Sequence, residues 1–193
     1  LHALSKMEVD VEPQRVTIAK GASRCRVDYL APQKLTFEQN DQFTKPPFQK
    51  SPNQWHLTAS TVEPAKSAES LIVIQPYRAG EEAVLLTAEK ETGHAGYTGV
   101  RLTGGGRMVE VLFRTESPSP ERPTSQLVTD SQAASFAFLV RPGEPPVYRS
   151  AVLFEGTKLG LGSPWLESDV PAAARRTLLG DGRRLVSSDA PSG

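Results

Sequence analysis

Apolar and polar residues alternate with a period of two in short runs along most of this chain. In Arg24–Leu30, Cys25, Val27 and Tyr29 fall on one side of an extended strand, and Arg24, Arg26 and Asp28 fall on the other. Trp55, Leu57 and Ala59 separate from His56, Thr58 and Ser60 in the same way. Such runs predict strands near Glu8–Val11, Arg15–Ala19, Ser23–Leu30, Lys34–Phe37, Gln54–Val62, Ser70–Tyr77 and Ala83–Glu89. They continue near Gly96–Leu102, Arg107–Arg114, Gln126–Thr129, Ala134–Val140, Val147–Phe154 and Arg184–Ser187. Turn chemistry sits between the runs. Lys20-Gly21 is a tight link, and Gly104-Gly105-Gly106 supplies the positive φ that a hairpin needs. A helical period occurs once, in Pro171–Leu179, where proline suits a first turn and Gly180 a stop. The expected fold is therefore all-β, an antiparallel β-sandwich of the supersandwich-like kind, with at most one or two short helices.

Two proline-rich stretches, 40–53 and 116–124, break the rhythm, and proline cannot pair centrally in a sheet, so both are expected to be surface loops. The whole of 1–193 reads either as one sandwich region or as two stacked layers divided near 116–124.

Composition then removes several functions. Lys and Arg total 22, as do Asp and Glu, with no block of like charge, so no basic stripe is present to neutralise a phosphate backbone. Nucleic acid is not an expected partner. The longest apolar runs fall far short of the roughly 20 residues needed to cross a bilayer, so no membrane span is expected either. The single cysteine, Cys25, excludes an internal disulfide, and its place in the alternation makes it a small buried hydrophobe.

Candidate chemistry is sparse. His2, His56 and His94 are far apart, without HxH, HxxxH or CxxC spacing, so no local metal motif is read and no metal or cofactor is expected. No nucleophile elbow occurs, and no catalytic residue is assigned. The richest stretch is Gln54–Thr61. One reading makes Trp55 a core anchor and His56 a polar residue on an open face. The other makes His56, with Gln54 and the preceding Asp41, Phe43 and Phe48, the lining of a sugar-binding cleft, because aromatic rings stack on sugars and imidazole and amide groups bond hydroxyls. Arg24, Arg26 and Asp28 likewise read as a solvated sheet face, or as a cradle in which arginine grips a uronic-acid carboxylate.

The first 80 residues resemble the β-sheet region that follows the α/α-toroid in heparinase II/III-like polysaccharide lyases. The resemblance lies in the opening Leu1-His2-Ala3, in Val27–Pro32, in the loop from Gln39–Phe43 to Pro46-Pro47, in Gln54–Thr58 and in Leu71–Tyr77. It implies an exported protein, periplasmic or secreted, and a longer chain in which the catalytic groups lie mainly on an upstream toroid and the first part of the sheet region. The partner it implies is an acidic polysaccharide, cleaved by β-elimination at uronic acid residues: a base takes the C5 proton, the carboxylate is neutralised and an acid assists the leaving oxygen. The substrate-lining residues would be His56, Gln54, Phe43 and Asp41. The alternative from another class is a non-catalytic, jelly-roll-like module that binds carbohydrate or protein.

Overall fold

The computed structural model describes residues 1–42, 53–94, 96–115, 127–129, 132–161, 163–178 and 184–189. Within them the chain is all-β and antiparallel, with three sheets, none closed into a barrel. It divides into two compact units, Leu1–Leu85 and Leu86–Gly193. The loop expected near 116–124 lies outside the described residues.

The first unit contains β1 (His2–Ala3), β2 (Glu8–Asp10), β3 (Arg15–Lys20), β4 (Ser23–Ala31), β5 (Leu35–Asn40), β6 (Trp55–Thr61) and β7 (Leu71–Arg78). These form a three-stranded sheet in the order β1-β6-β5 and a four-stranded sheet in the order β2-β3-β4-β7. The inward residues of both sheets meet in one core. Ala3, Leu35 and Leu57 come from the smaller sheet, Val16, Val27 and Tyr29 from the larger, and Met7 joins them from the β1–β2 connection. The rings of Tyr29 and Phe37 meet edge-on across the gap, 5.4 Å between centroids. This is a sandwich, and the alternation explains it: burying each large aliphatic side chain contributes about 1.5–3 kcal/mol, which only a consistent inward face can collect. Cys25 packs against this core as expected, though half-buried where full burial was expected, and burial raises its thiol pKa.

A polar bracket closes one end of this core. Gln14, in a left-handed conformation at φ 51°, donates from Nε2 to the carbonyls of Tyr29 and Pro32, both at 3.1 Å, and its Oε1 accepts from the Leu35 amide. One side chain thus satisfies three backbone groups where β4 hands over to β5.

A short 3₁₀ turn, Glu82–Val84, leads to the second unit, where a strand near Ala83–Glu89 was expected. The strand there begins later, as β8 (Thr87–Glu91), followed by β9 (Tyr97–Gly104), β10 (Arg107–Arg114), β11 (Leu127–Thr129) and β12 (Ala133–Leu139). Then come β13 (Val147–Leu161), β14 (Ser163–Leu178) and β15 (Arg184–Asp189). The sheet order is β15-β14-β13-β12-β10-β9-β8, with β11 paired to the far end of β13. The expected β9–β10 hairpin is present. Gly105 and Gly106 take φ of 55° and 69° between the paired Gly104 and Arg107, the mirror-image turn that matches strand twist. One face carries the core: Leu112, Ala134, Phe136, Phe138, Ala151, Leu153 and Leu159.

The helix expected over Pro171–Leu179 does not form. Its described residues, Pro171–Leu178, belong to β14, which pairs with β13 on one side and β15 on the other. Alanine favours a helix by only a few tenths of a kcal/mol per residue, which two ladders of hydrogen bonds override. Pro171, which has no N–H to donate, falls where the β13–β14 register shifts, between the Gly156–Ala172 and Lys158–Glu167 pairs.

Candidate functional site

The polar residues singled out on β6 stand at one end of the smaller sheet of the first unit. Strand alternation turns Leu57 fully inward and brings Trp55 and Ala59 against the same core, with the Lys6 ammonium 5.5 Å from the Trp55 ring centre. His56 therefore points to the opposite face. There it lies between two neighbours: His2 is its direct partner across β1, and Asn40 is its direct partner across β5. The two imidazoles lie tilted against each other at 39°, with centroids 4.0 Å apart. Further along the same face are the pairs Glu38–Thr58 and Thr36–Ser60, so this surface is polar throughout. Gln54 is exposed just ahead of β6, and Asp41 is half-buried just beyond β5, at the same end. Phe43 and Phe48 lie outside the described residues.

Crowding by neighbouring atoms, then the charge of His2 and of the Leu1 amino group, hold the His56 pKa below the ordinary imidazole value. At neutral pH the ring is uncharged, with one nitrogen to donate and one to accept. His2 was not among the expected site residues. It is 54 positions away in sequence, and only the two-residue strand β1 brings it to His56.

The arginine face of β4 differs in part from its expected roles. Asp28 is only 3% exposed. Its two carboxylate oxygens accept from Arg15 Nε at 2.6 Å and Arg26 Nε at 2.8 Å. Arg26 is thus committed to an internal ion pair, and Arg24 donates to the carbonyls of Gly21 and Ser23. The Arg15 and Arg26 side chains cover the carboxylate, so Arg26 and Asp28 form a closed ion pair, and Arg24 keeps to the solvated edge, bonded to exposed carbonyls.

The second unit holds a charged cluster that the sequence reading missed. Glu91, His94 and Glu110 are all buried, with candidate donor atoms within 4.8 Å of one another. Arg101 stands between the acids: its Nε donates to Glu110 at 3.0 Å, and its Nη2 pairs with Glu91. The other Glu91 oxygen accepts from the Gly93 amide at 2.7 Å, which fixes the turn that carries His94. His94 Nε2 lies 3.7 Å from Glu110. Proximity to His94 and then to Arg101 holds the Glu110 carboxyl below its usual range, against the opposing effect of burial. Burial works against the Arg101 charge, but Glu110, Glu91 and Glu89 outweigh it and raise its pKa. Two carboxylates and an imidazole form a donor set suited to a divalent cation. Here the guanidinium takes the cation's place, and the cluster reads as an internal electrostatic clamp. The Arg101–Glu110 contact was legible in principle, because the Gly105-Gly106 turn sets those two residues directly opposite each other.

Comparison with protein-family models, with curated proteins and with solved structures returns no match.

Proposed function

We propose that this chain is the β-sheet region of an exported acidic-polysaccharide lyase of the heparinase II/III-like kind, lining the polymer path beside an upstream α/α-toroid that carries the reaction. The observation that supports this reading is the row His2, His56 and Asn40 across three strands of one polar sheet face, His2 and Asn40 exposed and His56 half-buried between them, with Gln54 and Asp41 at the same end. A row of imidazole and amide groups on a rigid sheet can bond successive sugar hydroxyls at little ordering cost. The lowered pKa makes His56 a neutral hydrogen-bonding group at physiological pH and a cationic one only in acid. A uronic-acid polymer is anionic, so it would favour the protonated imidazole and pull its pKa back up.

The test is titration of an oligouronate into the chain across about pH 5 to pH 8, the range in which imidazole changes charge. Affinity should rise as the pH falls. His56→Ala and His2→Ala should each lose affinity several-fold at the acid end and flatten the pH profile, with the melting temperature unchanged. The isolated chain should release no unsaturated product. No measurable binding by the parent chain, or binding that both variants retain with its pH dependence intact, would remove the reading.

A further inference from the structure

The sandwich of the first unit is open beside β6. A cavity of about 300 Å³ lies there between the two sheets, lined by Leu1, Tyr29, Leu35, Leu57, Ala59 and Ile72 among others. Ile72 is the direct cross-strand partner of Tyr29, so it shares the core-facing side of its sheet, yet it is 43% exposed. Leu1 is 37% exposed at the same place. Two large apolar residues on an inner face, turned toward an unfilled space, mark a core that lacks some of its side chains.

The strand ladder indicates what shape would fill it. β1 covers only part of β6: His2 pairs with His56 and Ala3 with Trp55. Leu1 and Leu57 exchange both backbone hydrogen bonds, at 2.8 and 2.9 Å. β6 continues four residues further, to Thr61. Backbone groups of an antiparallel strand point alternately to either side. Ala59 and Thr61 therefore present theirs on the same side as Leu57, where no strand among the described residues pairs with them. The side chains of Ala59 and Thr61 both line the cavity. An open ladder edge thus runs along an apolar space of matching length.

We propose that this cavity is the seat of one further strand, running antiparallel to β6 in direct line with β1 and inserting apolar side chains at every second position. The register follows from the pairs already present. The first and third residues ahead of Leu1 would oppose Thr58 and Ser60 and face outward. The second and fourth would oppose Ala59 and Thr61 and fill the cavity. On the reading given above, in which a toroid precedes the sheets, this strand is the segment that enters from that domain.

The test fuses a short extension ahead of Leu1 in two versions of equal composition. One places valine at the second and fourth residues ahead of Leu1 and threonine at the first and third; the other exchanges the two. In the first version, exchange of the Ala59 and Thr61 amides should slow by about tenfold, as a newly formed backbone hydrogen bond allows, and the melting temperature of this unit should rise. The exchanged version should do neither, because a one-residue slip sends the valines to the outer face. Equal protection by both versions, or by neither, overturns the proposal. Oligouronate titration of the same proteins separates the two ideas: binding that persists while the strand test fails leaves the function standing, and the converse leaves the strand standing.

Discussion

Replacing Arg101 with leucine should destabilise the second unit by about 2–4 kcal/mol at neutral pH. Loss of one partner from a buried ion pair costs roughly 3–5 kcal/mol when the remaining charge is fully enclosed. Here the stranded groups are the Glu91 and Glu110 carboxylates, with side chains only 8% and 9% exposed, but the arginine itself is 40% exposed. Water reaching the vacated space would screen part of the repulsion, which places the loss below the upper limit. Urea denaturation is the assay, followed by Trp165 fluorescence in a Trp55→Phe background so that the second unit reports alone.

The pH dependence carries the diagnosis. In the parent chain Glu110 is held below its unfolded pKa, so its contribution is complete above about pH 4.3 and is lost as the pH falls through the lower folded value. In the Arg101→Leu variant Glu110 is buried without the guanidinium, its pKa rises, and it takes up a proton at milder acidity. The gap between variant and parent should therefore be widest near neutrality and narrow toward about pH 4–5. Adding Glu91→Gln and Glu110→Gln should recover most of the loss. A gap under about 1 kcal/mol, or one that is equal at all pH values, would refute the electrostatic account and leave only lost packing of the arginine stem.

Three further outcomes are expected. If the guanidinium stands where a cation could, zinc or manganese should raise the urea midpoint of Arg101→Leu through Glu91, His94 and Glu110 and leave the parent unmoved; equal responses would reject that equivalence. Gly99→Ala should cost about 2 kcal/mol or more, because a Cβ there would press on the Val111 carbonyl and come within 3.0 Å of Leu112 Cα, backbone that cannot swing aside; a neutral urea midpoint would contradict this. Gln14→Ala should cost about 2–3 kcal/mol by orphaning the Leu35 amide and two carbonyls, and Gln14→Gly should recover about 1 kcal/mol of that by relieving the positive φ; Gly behaving worse than Ala in thermal melts would show that strain at this position is unimportant.

Much of the fold was legible because alternation is a local signal with a collective consequence. The Trp55, Leu57 and Ala59 face did turn inward, and Cys25, Val27 and Tyr29 did join the same core. The failure at Pro171–Leu178 shows where that logic ends. An alanine-rich segment has little side-chain pattern to declare, so its state is decided by what lies beside it, and β13 and β15 are contributed by residues on either side of it in the chain. The helical period and end signals there span only nine residues, too short a stretch to hold a helix against the two strands that pair with it.

The candidate sites divide along the same line, by whether a contact is set by a turn or by the fold. Arg101 meets Glu110 through a two-residue glycine turn, and counting outward from that turn would have put opposite charges face to face. His94 and Glu91 reach the same cluster through a second short connection, and Arg101 comes between Glu89 and Glu110 because β9 lies between β8 and β10. Each of those pairings is local, so the cluster could be assembled from neighbouring hairpins once their register was counted. His2 beside His56, and the shielding of Asp28 by Arg15, are different in kind. The first needs the start of the chain to pair with β6, and the second needs the arginine arms to fold over a carboxylate that alternation alone would leave in water. A buried carboxylate on an outward face is stable only with its charge matched, so the presence of Arg15 directly opposite Asp28 and of Arg26 two residues before it is the physical reason that position tolerates an acid.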